Sequence, residues 1–187
     1  MEKDLKIIAE LAESNWADNW NFRSFLQHEI DPSIIDQTVH ELNRVVSAEI
    51  DCTACANCCR ELQPHLEEKD VTRVAAALDL SVKDAKKKYL VKDPDRSYRF
   101  SIKPCPLLNG TKCSIYKSRP ADCSEYPHLN KPDFLGGSIG VIENYRVCPI
   151  VFNVYEGLKT KFHYDKNADY IGEDDPEAFS GSYWDKS

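Results

Sequence analysis

Three cysteines at two-residue gaps, followed at once by a fourth, constrain this chain more than any other feature: Cys52-x2-Cys55-x2-Cys58-Cys59. A turn-like backbone at that spacing brings the thiols close enough to wrap one side of a metal ion or cluster. A lone buried cysteine is ordinarily a small hydrophobe, but four at these gaps read as a ligand set. The first three match the opening of the bacterial ferredoxin run, whose fourth cysteine is missing here at its expected spacing. The spacing also differs from the Cys-x3-Cys-x2-Cys loop of radical enzymes that use S-adenosylmethionine.

The chain has eight cysteines, and the remaining four are Cys105, Cys113, Cys123 and Cys148. Two of them precede proline, in Cys105-Pro106 and Cys148-Pro149, where the ring fixes the local turn and removes a competing amide. Cys148 also falls at an expected helix start, where free N–H groups and the helix dipole favour a thiolate. All eight are candidate metal ligands, with zinc or iron as the cofactor, an iron–sulfur cluster included. A disulfide framework is arithmetically open, but an adjacent Cys58–Cys59 bond would be strained. Among the histidines only His65 and His128 fall between the cysteine segments, as candidate nitrogen ligands. None is spaced to pair with a particular thiol as a nucleophile's base.

Composition narrows the setting. With 187 residues, 42% of them apolar, the chain builds a core without cross-links, so the cysteines need another explanation. The net charge of −7 excludes nucleic acid as the main partner, and Lys86-Lys87-Lys88 reads as a solvated helix face. No apolar run approaches the roughly twenty residues of a membrane span. Met1-Glu2-Lys3-Asp4-Leu5 lacks the basic segment and apolar run of a secretory signal, so a cytoplasmic location is expected. Disulfides are rare there and cysteine clusters read as metal or redox sites.

The expected fold is mainly α with a small β component: a helical N-terminal part around a cysteine-rich metal-binding core containing a β-hairpin. Residues 1–50 form a helical extension packed on the core, 51–163 the cysteine-cluster domain, and 164–187 an acidic, flexible or loosely docked tail. Leu5, Ile8 and Leu11 mark one short amphipathic stretch; Trp16, Trp20, Phe25 and Leu26 mark another. Asp31-Pro32 is a helix start, followed by the stripe Ile35, Val39, Leu42, Val46 and Ile50. Glu67 to Leu90 reads as a helix–turn–helix pair, with Ser81 and Asp84 resembling a capping box. Tyr98 to Lys103 alternates as a half-buried strand does. Asn109-Gly110 signals a hairpin: a three-residue loop with Gly110 left-handed would set Cys105 opposite Cys113, a two-residue loop would set Cys105 opposite Ser114, and the first is expected. Ser118-Arg119-Pro120 turns the chain into a short segment carrying Cys123. Gly136-Gly137-Ser138-Ile139-Gly140 fits neither nucleotide-binding fingerprint and reads as a turn entering a strand. Pro149 opens a last helix bearing Val151, Val154, Tyr155, Leu158 and Phe162.

The run from Cys52 to Cys59 resembles the signature of the CxxCxxCC (YkgJ-like) family of cysteine-cluster proteins. The later block is similar too: Cys105-Pro106-Leu107-Leu108, Cys113-Ser114-Ile115-Tyr116, Arg119-Pro120, Cys123 and Tyr126-Pro127. The resemblance covers roughly residues 50 to 150 and implies zinc or iron chelation. Ser124 departs from it, since members often carry arginine after that cysteine. A similar domain occurs in flagellin lysine N-methylases, where an iron–sulfur cluster is implicated, but this chain is much shorter. Beside a metal-binding protein of structural, metal-handling or electron-transfer role stand two alternatives. One is a metal- or cluster-dependent enzyme such as a protein-modifying transferase; the other is an interaction module stapled by metal and binding a protein partner. Spacing leaves open whether the thiols make one site or two.

Overall fold

The computed structural model describes residues 1–95 and 97–170; helices and strands are numbered here along the chain. The chain forms two units, one of residues 1–50 together with those from Leu129 onward, the other of Asp51–His128. The described residues are mainly helical, with two small antiparallel strand pairs among them. No helix among the described residues is long and apolar enough to cross a membrane.

In the first unit, Asp4 caps α1 (Leu5–Ser14) by accepting from the amides of Lys6 and Ile7. Helix α2 (Trp16–Glu29) buries Trp20, Phe22, Phe25 and Leu26. Asp31 and Pro32 start α3 (Pro32–Glu49) as their chemistry dictates: the Asp31 carboxylate accepts from Ser33 N at 2.8 Å, and proline takes the first position. Its stripe Ile35, Val39, Val46 and Ile50 is buried. The last helix, α10 (Pro149–Lys161), buries residues on nearly every side, from Ile150 and Phe152 to Tyr155 and Leu158, and packs against α3. A side chain at Gly157 would press on Leu42 at 3.2 Å, so glycine there permits the close approach.

One expectation changes in this unit. The Gly136–Gly140 segment enters a helix, α9 (Ser138–Tyr145), and no strand. The branched run Ile139, Val141, Ile142 suggested extension, but only helical spacing buries Ile142 and Tyr145 together; packing overrides weak local preference. A side chain at Gly136 would collide with the Asp133 carboxylate, which accepts the Gly136 amide at 3.1 Å. The described part of the segment after His163 lies against α2. Tyr164 and Tyr170 pack their rings on Phe22 and Phe25 at 4.9 and 5.0 Å, and Asn21 bonds Tyr164, Ala168 and Tyr170. The rest of the expected tail, from residue 171, lies outside the described residues.

The second unit begins with two single turns, α4 (Cys52–Cys55) and α5 (Asn57–Glu61). The helix pair follows as α6 (Glu68–Ala77) and α7 (Val82–Tyr89). Ser81 accepts from Asp84 N at 3.1 Å and donates to the Asp84 carboxylate, so the expected box is one-sided. The full reciprocal box is at Glu67 and Asp70. Lys86 is not simply solvated, since its Nζ bonds Glu68 and the Tyr98 hydroxyl. Leu90 to Lys92 is a strand, β1, paired antiparallel with β2 (Tyr98–Phe100), which stops short of the expected Lys103. β2 ends opposite Leu90 because its partner strand begins there, directly after α7, and one last bond runs from Ser101 N to the Tyr89 carbonyl at 2.8 Å. The second pair is β3 (Leu108–Asn109) with β4 (Lys112–Cys113), and α8 (Ala121–Glu125) closes the unit.

An apolar cluster of Leu66, Val71, Val74, Leu90, Phe100, Leu107 and Ile115 lies under these elements, with Cys105 and Cys113 packed against it. One buried carboxylate ties the helix pair to the cysteine segments. Asp70, 2% exposed, accepts from Arg73 Nη2 at 2.6 Å, from Ala121 N at 3.0 Å and from Glu67 N at 3.1 Å. Arg73 is partly in solvent, so most of the loss on removing Asp70 comes from the two stranded amides. Asp70→Ala is expected to destabilise this unit by about 2–3 kcal/mol in urea unfolding followed by circular dichroism, and Asp70→Asn by less.

Candidate metal centre

Asp51 builds the first cysteine loop from its amino end. Its carboxylate accepts from Thr53 N at 2.8 Å and Thr53 Oγ1 at 2.7 Å, and these bonds hold it below the usual carboxylate range. After Cys55 the chain reverses through Ala56, a buried residue with φ of 52°, the left-handed region that side chains rarely adopt. The reversal starts the second turn, which carries Cys58 and Cys59. Arg60 clamps the loop from outside, its Nη1 donating to the Cys55 carbonyl at 2.8 Å. Cys52 is exposed and Cys55, Cys58 and Cys59 are half-buried.

The second cysteine segment is stitched to the first through backbone, with Cys105 N donating to the Cys59 carbonyl at 2.8 Å. The hairpin register differs from the expected one. Leu108 faces Cys113 and Asn109 faces Lys112, leaving Gly110-Thr111 as a two-residue loop. Gly110 is left-handed as expected, with φ of 63°. Cys105 lies outside the ladder, at the head of a turn closed by Leu108 N donating to its carbonyl at 3.0 Å. The register serves Leu107 and Ile115, which are both buried in the apolar cluster. Cys105 still comes within the field of Cys113, by way of the turn and not by strand pairing.

Cys123 rides on α8, whose first amide is held by Asp70. Ser124, where members of the resembled family often carry arginine, is exposed and donates back to the Ala121 carbonyl at 2.9 Å. Cys148 belongs to the other unit, buried at the start of α10, with its carbonyl accepting from Phe152 N at 2.9 Å.

Electrostatics separates these thiols sharply. Cys59 is pulled down to about 7, first by the hydrogen bond from Cys58, against burial, and then by the charges of Arg60 and Arg119. Burial pushes Cys105 up to about 11, helped by repulsion from Cys59 and Cys113. Burial pushes Cys123 up to about 12, with repulsion from Cys105, Cys59, Asp122 and Cys113. Cys113 is raised by burial and by Cys59, with Arg119 opposing. Every pairing among Cys59, Cys105, Cys113 and Cys123 is therefore close enough for one charge to act on the other. Cys52, although exposed as a residue, is raised by the partial burial of its thiol and then by Cys55, its loop neighbour.

Both histidines singled out in the sequence meet a carboxylate that the sequence did not flag. Asp122 Oδ2 accepts from His65 N at 3.0 Å, and Asp122 Oδ1 lies 3.0 Å from His128 Nε2. His128 has φ of 64°, and its Nδ1 is buried without a hydrogen-bond partner. Among the described residues, no three cysteine, histidine, aspartate or glutamate side chains form a group that could hold a metal ion as they stand. The donor chemistry nonetheless suits a soft cation: several half-buried thiols in one another's field, with two arginines beside them.

The sequence model of one family, described as "CxxCxxCC: Putative zinc- or iron-chelating domain", matches residues 51–147, just over half of the chain. The chain belongs to the CxxCxxCC family. No curated protein and no solved structure matches it significantly. The family match spans the whole Asp51–His128 unit and ends one residue short of Cys148.

The raised thiols make a stability prediction for the metal-free chain. A group whose folded pKa lies above its unfolded value binds more protons folded than unfolded, so stability falls as pH rises through that interval. For Cys105 and Cys123 the interval runs from the ordinary 9.0 to about 11 and about 12. The melting temperature of the reduced chain in chelator is expected to fall between those pH values, and Cys123→Ala is expected to flatten the fall.

Proposed function

We propose that this chain chelates zinc or iron through cysteine thiolates. Cys59, Cys105, Cys113 and Cys123 form the inner group, with Cys52, Cys55 and Cys58 on the adjoining loop. Cys148 enters the proposal on its helix-start position alone. The observation that carries the reading is that separated segments bring these thiols together: Cys105 N donates to the Cys59 carbonyl at 2.8 Å, Cys105 and Cys113 pack on one apolar cluster, and Asp70 holds the start of the helix bearing Cys123.

Cysteines serving only as small hydrophobes gain nothing from standing together, and their charged forms repel. A divalent cation inverts that relation, because each thiolate then faces a larger positive charge and loses its proton. Closing on an ion would bring the sulfurs nearer than they stand, since no three donors among the described residues form a ready group. Bound zinc would tie the segments together, whereas iron would add electron transfer or cluster chemistry. The family membership supports the reading, since its description names the same two metals.

The test is purification without oxygen, followed by metal analysis and a visible spectrum. Stoichiometric zinc in a colourless protein, or iron with thiolate-to-iron absorption, is the expected result. Cys59→Ser and Cys123→Ser are each expected to lose most of the bound metal. A reduced, folded chain that takes up neither ion, with all its thiols free to a thiol reagent, sinks the proposal.

A further inference from the structure

His128 presents a ring nitrogen that nothing in the described chain occupies. The residue is in the left-handed region, with φ of 64°, and its amide donates to the Glu125 carbonyl at 2.8 Å. That turn folds the ring back toward α8, where Nε2 lies 3.0 Å from Asp122 Oδ1. A carboxylate accepts, so the ring proton sits on Nε2 and Nδ1 is left as a bare lone pair. Nδ1 is buried and has no hydrogen-bond partner. A buried acceptor in that state costs free energy until a donor or an ion fills it. His65 differs: its Nδ1 lies 3.3 Å from Ser97 Oγ, and it meets Asp122 through its backbone amide.

Metal-binding histidines are held in this way. One ring nitrogen takes the ion while the other donates to a carboxylate, which fixes the tautomer, aims the ring and raises the basicity of the ligand atom. Asp122 is itself fixed, because Oδ2 accepts from His65 N at 3.0 Å. It also immediately precedes Cys123, so the short stretch 121–128 carries a thiol, an imidazole and the carboxylate that orients the imidazole. That stretch is anchored at its start by Asp70, which accepts from Ala121 N at 3.0 Å.

We infer that His128 is a nitrogen ligand of the proposed metal centre, taking the ion through Nδ1 alongside Cys123 while Asp122 holds its Nε2–H. The inference rests on the chelation reading and adds to it a donor other than sulfur. No three donors among the described residues form a ready group, so binding draws the Cys123 sulfur and Nδ1 toward a common ion. A mixed imidazole and thiolate set suits a single zinc ion.

The experiment is zinc-edge X-ray absorption on the reduced full-length chain loaded with one equivalent of Zn(II). Wild type, His128→Ala, His65→Ala and Asp122→Asn are compared, with circular dichroism of each metal-free form. Wild type is expected to show sulfur at about 2.3 Å together with imidazole nitrogen at about 2.0–2.1 Å. His128→Ala is expected to lose the imidazole signal and His65→Ala to keep it. Asp122→Asn is expected to keep it and to weaken Zn(II) binding about 10–100-fold in chelator competition, as loss of an outer partner does. Long-range proton–nitrogen spectra of wild type read the same atom without a substitution, and the His128 Nδ1 resonance is expected to shift on adding Zn(II). A sulfur-only shell in wild type, an unmoved Nδ1, or an imidazole signal that survives in folded His128→Ala overturns this inference and leaves chelation standing. Wild type that takes up no Zn(II) also overturns it, and chelation then stands or falls on iron uptake.

Discussion

Half-buried thiols that stand in one another's field are the constraint on which the Asp51–His128 unit turns. Ionising any one of them makes the next harder to ionise, and burial compounds the effect, as at Cys105 and Cys123. Such a group is a poor apolar core, because it packs each sulfur against neighbours that repel once charged. The chelation proposed for these thiols draws on the same feature. The elements that carry it are small: single turns at α4 and α5, two-residue strands at β3 and β4 and a five-residue helix at α8. None of these persists alone in water. They are held by cross-links between segments, from Cys105 N to the Cys59 carbonyl and from Arg60 to the Cys55 carbonyl. The Asp70 carboxylate adds the link to the start of α8.

Within this group one residue type covers a wide electrostatic range. Cys59 and Cys123 differ in what faces them and not in chemistry. Cys59 receives a hydrogen bond from Cys58 and has Arg60 and Arg119 near it. Cys123 sits deeper and faces three thiols and Asp122. In the chelation we propose, Cys59 would be the thiolate nearest to prepared, and the others would give up a proton only as the ion's charge arrives. That order follows first from the Cys58 hydrogen bond at Cys59 and from the burial of Cys123, with Arg60 and Arg119 adding to the pull on Cys59.

Much of the helical framework was legible because its signals are local. Asp31-Pro32 start α3 through capping chemistry that needs no partner, and Pro149 opens α10 in the same way. The apolar stripe of α3 and the helix pair after Glu67 follow from spacing. What was not legible depended on distant partners. The branched residues near Gly140 favour extension locally, and the burial of Ile142 and Tyr145 decides for a helix. β1 is a strand because β2 lies beside it and sets Phe100 opposite Leu90. Asp122 carries no motif, yet it faces both His65 and His128.

Sequence by itself determined which atoms can take part. Eight thiols, the tight spacing of the first four and the later Cys-Pro and Arg-Pro pairs define a family and a donor chemistry without coordinates. Those signals survive because they are matters of covalent identity and short chain distance. Only the tertiary structure decided which thiols share a neighbourhood and what charge surrounds each. Cys105 meets Cys113 through a turn whose register is chosen by burying Leu107 and Ile115 among residues far along the chain. The field at each sulfur is a sum over neighbours in space, and spacing along the chain does not encode that sum.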